Sequence, residues 1–340
     1  MKTCSVIVTY ADRFHLLKEV IASCLAEGVD KLIIVDNNSD ENSKNQLKNI
    51  ERQLNDKITV IYLSRNTGSA YGYKKGLEEA NKEKECDYIW LLDDDNKPQR
   101  GALQVLKSFW SSLNREDKNE KVSLLSYRED RKLYKDAIAT GHPDLVLGRR
   151  NSFMGFHFMN YPVKLIKVLK KALTSRSHSF SEEVKSGLVS VAPYGGMFFH
   201  KEILKTVGYP NEKFYVYADD HDWSYTITKN SGSIYLLLDS KIDDIDTSWH
   251  ISQKNESIFK IIPNQNPFRV YYTTRNRVYF ELEHLVDNIF VYQFNRVVFQ
   301  AVLLFFSFKK LSTYKLFCDA IKDAFNKNMG KNDNIQLSLN

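Results

Sequence analysis

Three consecutive aspartates, Asp93, Asp94 and Asp95, follow directly on Ile89-Trp90-Leu91-Leu92, a run that belongs in a protein interior. Adjacent like charges repel, so a buried strand that opens onto three carboxylates calls for something cationic to hold them. An isolated aspartate pair ordinarily ends as a solvated, helix-capping turn. Three in a row favour a hard divalent cation, Mn2+ or Mg2+, held by one or two carboxylates together with substrate phosphates. Strand alternation would point Asp93 and Asp95 to one face and Asp94 to the other. A second acidic cluster, Asp219, Asp220 and Asp222 in "YADDHDW", follows the aromatic residues Phe214, Tyr215 and Tyr217. A carboxylate against such apolar walls gains a raised pKa, which a general base needs near neutral pH. The same residues also suit the first turn of a helix.

The elements that must position these clusters are legible over the first 95 residues, where strands alternate with helices. Strands are expected at 4–10, 31–39, 58–64 and 87–95, with helices at 14–28, 41–55 and 68–81 between them. This alternation predicts a parallel sheet with right-handed crossovers. Ligands in such sheets bind outside the carboxyl ends of the strands. Thr9-Tyr10, Asp36-Asn37-Asn38, Arg65-Asn66 and the aspartate triplet all fall at those ends, so they should converge on one crevice. Gly68, Gly72 and Gly76 match neither a dinucleotide nor a P-loop fingerprint; at helical spacing they line one face, where backbone can approach a neighbour closely.

Further on, a helix is expected at 101–113, a strand at 121–127, a strand, glycine turn and helix over 189–208, and a strand at 233–240. Residues 128–160 resist assignment, and 163–176 reads as a basic amphipathic helix. Ile289 to Phe308 is the longest apolar stretch, with Gln293, Arg296, Gln300 and Ser307 on one narrow stripe. Its length is marginal for spanning a bilayer and Arg296 counts against it. The stretch suits either a helix lying in a membrane interface or a core helix packed on the catalytic domain.

At 340 residues with 43% hydrophobic and 13% aromatic content, the chain can build a large α/β unit with an appendage, or two units. The division expected is 1–253 for the catalytic domain, with halves 1–100 and 101–253, and 254–340 for a helical basic region. Four scattered cysteines without a C-x-x-C pair exclude a zinc framework or disulfide scaffold and suit a reducing cytosol. The apolar run at the start is too short for a signal peptide, so the protein is expected to be cytoplasmic. Net charge is +6, and from Lys254 onward 12 Lys/Arg face 7 Asp/Glu, as expected for a surface that meets something anionic. No nucleic-acid recognition motif accompanies it. A peripheral position at the cytoplasmic face of an anionic membrane fits better.

Taken in order, "VIVTYADR", "IIVDNNSD", "NTGSAYGYKKG", "WLLDDDNKP", "GGMFFHKEIL", "YADDHDW" and "YYTTRNRVYF" resemble family 2 glycosyltransferases of the GT-A fold, over about residues 3 to 280. Bacterial galactofuranosyltransferases are the most similar branch, with rhamnosyltransferases almost as close. The resemblance implies an α/β fold with a Rossmann-like, mostly parallel sheet, helices on both faces and a helical C-terminal extension. It implies an inverting transfer, favoured to be of galactofuranose from UDP-galactofuranose, to a hydroxyl of a cell-surface glycan or lipid-linked acceptor. Thr9, Tyr10, Arg13, Asp36 and Asn66 would line the nucleotide site, with Asp94 beside them. Asp93 and Asp95 would hold Mn2+ or Mg2+ on the donor diphosphate, with His250 of "TSWH" as third ligand. Gly195 and Gly196 would let backbone approach the sugar or acceptor. Asp220 would be the base and Asp219 a contact to sugar hydroxyls. Ala11-Asp12 stands where the family has Asn or Asp, which loosens the assignment of Arg13. The competing readings are a sugar-nucleotide pyrophosphorylase, whose Gly-rich basic loop "VIVTYADRF" lacks, and a non-catalytic sugar-nucleotide-binding protein.

Overall fold

The computed structural model describes residues 1–160, 184–246 and 257–335. Contacts divide the chain into two compact units, Met1–Val146 with Lys185–Ser252, and Leu147–Val184 with Gln253–Asn340.

The first unit opens with β1 (Thr3–Ala11), α1 (Phe14–Ala26), β2 (Lys31–Ser39), α2 (Glu41–Leu54), β3 (Ile58–Tyr62), α3 (Gly68–Lys82) and β4 (Tyr88–Asp93). It continues through β5 (Asn96–Pro98), α4 (Ala102–Ser112), the short α5 (Lys118–Lys121), β6 (Val122–Tyr127) and α6 (Lys132–Thr140). After β7 (Ser186–Val189) and β8 (Met197–His200) come α7 (Ile203–Val207), α8 (Asp219–Lys229) and β9 (Ser233–Asp244). The sheet runs β3-β2-β1-β4-β8-β6-β9-β5, with β7 also paired to β9. Its β3-β2-β1-β4 part is parallel and β8 is antiparallel to both neighbours. Chain order reverses at β1, so the crevice at the carboxyl ends of β1 and β4 is a topological switch point. Register puts Thr9 beside Asp36 and Val8 beside Asp93. Two apolar clusters cover the two faces of the sheet. One holds Val6, Val35, Leu77, Leu91 and Trp223, the other Ile7, Leu17, Ile34, Trp90 and Leu106. The expected mixed α/β architecture with helices on both faces is what forms.

The glycines of α3 explain how closely that helix lies on the sheet. A β-carbon at Gly72 would stand 2.8 Å from a methyl of Val8, and one at Gly76 only 2.3 Å from a methyl of Val6. Both valines are buried and branched at Cβ, so neither can swing aside.

The second unit contains α9 (Ile258–Asn264), α10 (Pro267–His284), α11 (Ile289–Phe306) and α12 (Leu311–Phe325) around a third apolar cluster that includes Phe153, Val278, Tyr292, Phe299 and Phe317. The expected division at 253 assigns residues 147–160 to the catalytic domain, whereas contacts put them here. Phe153 is buried among the helices, and the Met154 amide donates to Glu281 Oε2 at 3.1 Å. The Asn295 amide group donates to the Asn151 carbonyl at 2.8 Å and accepts from the Phe158 amide at 2.9 Å. On α11 the expected polar stripe turns toward α12. Arg296 donates to Gln300 at 2.8 Å and lies 5.7 Å over the Phe325 ring, and Gln300 reaches Cys318. The basic helix expected at 163–176 lies outside the described residues.

Substituting Gly76 tests the seating of α3. Gly76→Ala gains up to about 1 kcal/mol of helix propensity but overpacks the sheet contact, which typically costs about 1–3 kcal/mol. A net loss of stability in urea denaturation is expected; an unchanged or raised midpoint would show that α3 does not sit so tightly.

Candidate active site

At the end of β4 the strand alternation stops at Asp93, and Asp94 and Asp95 lie in the turn before β5. Asp93 and Asp95 therefore do not share a strand face, and Arg13 instead unites Asp95 with Asp94. The Arg13 guanidinium donates to Asp94 Oδ1 at 2.9 Å, to Asp95 Oδ2 at 2.7 Å and to Asp246 Oδ2 at 2.6 Å. Thr9 Oγ1 adds a hydrogen bond to Asp94 at 2.8 Å, and the Tyr10 ring lies 5.4 Å from the guanidinium. Tyr73 donates to Asp93 Oδ1 at 2.6 Å. Burial, then the charges of Asp93 and Asp94, push Asp95 up to about 7 despite Arg13. Burial opposes the charge of Arg13 itself, but Asp94, Tyr10 and Asp95 together outweigh it and raise the guanidinium pKa.

This turn still carries unmet demand for a cation. Asn96 donates to Asp95 Oδ1 at 2.7 Å, yet its own Oδ1 is buried without a partner. A β-carbon at Gly195 would stand 1.8 Å from that oxygen and 2.6 Å from Asp93 Oδ2, so Gly195 makes room for the acidic turn itself. Gly196 has φ +103° and its amide donates to the Leu91 carbonyl at 2.8 Å. Among the described residues no three His, Cys, Asp or Glu side chains group around one metal position. The all-oxygen set fits a hard divalent ion held by one or two of these carboxylates and completed by donor phosphates. His250 lies outside the described residues.

The second cluster occupies the first turn of α8, where Asp219, Asp220 and Asp222 meet the positive end of the helix dipole. The backbone entering it is left-handed at Tyr215 (φ +67°), Tyr217 (φ +66°) and Ala218 (φ +59°), an unusual run for bulky residues. Asp219 is buried and accepts from Ser69 Oγ at 2.8 Å. Burial, then the neighbouring Asp220, push it up to about 8, with Ser69 working in the other direction. Burial rather than any one aromatic neighbour is the main cause, and the Tyr194 hydroxyl works with Ser69 against it. Asp220 is half-buried and accepts from the His221 amide at 2.8 Å.

Ser69 and Tyr73 sit four residues apart on one face of α3, so one helix touches both acidic clusters. The Tyr73 ring also stacks on Tyr194 at 4.0 Å. Gly68, at φ +81°, lets α3 begin against the loop before α8. A β-carbon there would meet the Tyr215 carbonyl at 2.0 Å, and the Ala70 amide donates to that carbonyl at 3.2 Å.

On the nucleotide side, Asp36 is fully buried; one oxygen accepts from the Ser39 amide at 2.7 Å and the other has no partner. A buried oxygen without a donor is costly, and a base or ribose hydroxyl could supply one. Asn66 Oδ1 accepts from the Gly68 amide at 3.0 Å, and Asn37 binds Thr67 and Gly68, so both shape the loop into α3. Thr9 and Arg13, expected to line the nucleotide site, are engaged with the acidic turn.

Sequence reasoning missed Ser69, Tyr73, Asn96, Asp246, Arg128 and Arg131. Arg128 pairs with Asp130 at 2.8 Å and Asp244 at 2.7 Å. Arg131, its pKa lowered by burial and by Arg128, feels the charges of both Asp93 and Asp220. The signal was available: "RED" and Arg131 follow strand β6, another polar cluster at a strand's carboxyl end.

Residues 5–117 match the family model of glycosyl transferase family 2. Among solved structures, the mannosyltransferase PcManGT from Pyrobaculum calidifontis, in complex with GDP-Man and Mn2+, is similar with TM-score 0.52 at 11% identity, over 96% of this chain and 75% of its own. GalNAc-T7 with UDP, GalNAc and Mn2+ is similar with TM-score 0.51 at 13% identity, over 82% of this chain and 47% of its own. The chain thus spans about half the length of GalNAc-T7. At these identities the likeness shows the fold, which is GT-A. No curated protein sequence matches.

The protonation of Asp219 has a measurable sign. The folded protein holds that proton up to about pH 8 and the unfolded chain only to about pH 4, so stability falls as pH rises through that interval. Asp219→Asn cannot ionise and should flatten the fall. Urea midpoints across the interval test this; an equal decline in both proteins would remove the assignment.

Proposed function

We propose that the protein is a metal-dependent, inverting glycosyltransferase that moves a hexosyl group from a nucleoside-diphosphate sugar to an acceptor hydroxyl. The observation that carries the reading is the double contact of α3, whose Tyr73 holds Asp93 and whose Ser69 holds Asp219. A displacement at an anomeric carbon needs negative charge compensated on the leaving side and a proton accepted on the attacking side. Two acidic clusters fixed to one helix supply both at a set separation.

The nucleotide would lie at the switch point, with the unpartnered oxygen of Asp36 facing its base or ribose. Asp93 and Asp95, with His250 as the third ligand the family resemblance implies, would hold Mn2+ or Mg2+, which lends positive charge to the donor diphosphate. Arg131, within electrostatic reach of Asp93 and Asp220, would add a second cation beside the departing diphosphate. Asp220 would take the proton of the acceptor hydroxyl. The acceptor oxygen forms its bond to the anomeric carbon as the carbon–phosphate oxygen bond breaks, and that electron pair leaves on the nucleoside diphosphate. Asp219, protonated near neutral pH, would donate to a sugar hydroxyl.

The favoured donor is UDP-galactofuranose, from the aspartate triplet and the Asp219-Asp220 pair. The favoured acceptor is a growing cell-surface glycan or lipid-linked glycan. Rhamnosyl or other hexosyl transfer is the second reading. Two GT-A neighbours carry different ligands, GDP-Man in one and UDP with GalNAc in the other, so the fold by itself does not choose the sugar.

Two substitutions test the roles. Asp95→Asn should abolish the Mn2+ dependence of nucleoside diphosphate binding in calorimetry while the fold persists; Mn2+-dependent affinity equal to the native protein would refute the metal site. Asp220→Asn should lower transfer by roughly 10²–10⁴ with donor affinity nearly intact. That comparison follows a thermal-shift screen of nucleotide sugars with Mn2+, and retention of most turnover would move the base elsewhere.

A further inference from the structure

Helix α11 has two unlike long faces. Tyr292, Asn295, Phe299 and Leu303 are buried in the second unit. The opposite stripe is apolar yet solvent-facing: Phe290, Phe294, Val297, Leu304 and Phe305 are exposed, and Phe308 continues it beyond the helix end. Phe290 is 83% exposed, and Phe305 and Phe308 are each 79% exposed, values that no core-packing role explains. Contiguous apolar surface of this kind marks an interaction site.

The charge around the stripe identifies the partner. From Ile289 through Cys318 there is no Asp or Glu, while Arg296, Lys309, Lys310 and Lys315 are present. At the carboxyl end of the helix, Lys260, Lys309 and Lys310 share one open pocket with Phe305, Phe306 and Phe308. Ammonium groups interleaved with exposed phenyl rings match the boundary of an anionic bilayer, where phosphates lie directly above acyl chains. A protein partner would not require that pairing at one spot.

We infer that the exposed stripe of α11 and the lysines at its end dock the protein on an anionic lipid surface, with the helix parallel to the membrane. In composition the helix is apolar enough to cross a bilayer. Its 18 residues, however, rise only about 27 Å, short of a hydrocarbon core of about 30 Å. Its opposite face is also committed to protein, with both ends of the Asn295 amide bonded to Asn151 and Phe158. The inference rests on the second unit alone and stands whichever sugar is transferred.

The full chain should co-sediment with phosphatidylcholine vesicles that contain phosphatidylglycerol, and weakly with phosphatidylcholine alone. Phe290→Ser/Phe305→Ser/Phe308→Ser changes only exposed side chains, so its circular dichroism melt should match the native protein while vesicle binding falls at least roughly tenfold. Lys260→Glu/Lys309→Glu should weaken binding to the anionic vesicles by at least roughly tenfold, at about 1 kcal/mol per lysine, and barely affect the neutral ones. Native protein that ignores both vesicle types, or a triple serine variant that still binds anionic vesicles fully, overturns the inference. So does a native dimer in sedimentation velocity that the serine variant converts to monomer while vesicle binding is nil, because the stripe then serves a second copy of the chain.

Discussion

How closely a helix can approach a sheet is set by the side chains between them, and the site depends on that limit at α3. With hydrogen at Gly72 and Gly76, the α3 backbone settles onto the methyl groups of Val8 and Val6. Only from that depth can Tyr73 reach Asp93 at 2.6 Å while Ser69, one turn earlier, reaches Asp219 at 2.8 Å. Hydrogen bonds to carboxylates are short and steeply dependent on distance. A helix held outward by the width of a methyl group would lose both. The clusters belong to segments far apart in sequence, and α3 hydrogen-bonds to each through Tyr73 and Ser69.

Electrostatics imposes the second constraint. Asp93, Asp94, Asp95, Asp244 and Asp246 concentrate negative charge around the end of β4, and burial makes that expensive. Arg13 takes up three of these carboxylates and Arg128 pairs with Asp244. The compensation is incomplete, since Asp95 is still pushed up to about 7 and Asn96 Oδ1 is left without a donor. A fold that needed only structural stability would do better with fewer carboxylates, so the residual deficit reads as provision for a ligand cation.

Much of this was legible in the chain. Strand and helix alternation gave the parallel half of the sheet, because period-two and period-3.6 patterns are local properties. The acidic clusters stood out because burial and charge conflict there. Other features depended on distant partners. Arg13 looked like a nucleotide contact, yet it closes on Asp94, Asp95 and Asp246, which no local pattern encodes. Gly195 looked like a sugar contact, yet it yields space to Asn96 and Asp93. Strand alternation failed at Asp94 because the turn into β5 begins there, one residue after Asp93. Residues 147–160 lack periodicity of their own and are fixed by Glu281 and Asn295 of the second unit.

The two carboxyls at the start of α8 divide their duties by burial. Asp219 is enclosed beside Ser69 and keeps its proton to about pH 8. A carboxyl that is already protonated cannot accept another proton, but it can donate a hydrogen bond to a hydroxyl oxygen, which a carboxylate cannot. Asp220, half-buried at the helix end, keeps contact with solvent and engages the His221 amide through one oxygen. The same residue type at adjacent positions therefore meets two different environments, one enclosed and one at the surface. Successive residues of a helix point about 100° apart, so the first residue of α8 can face inward while the second lies at the rim.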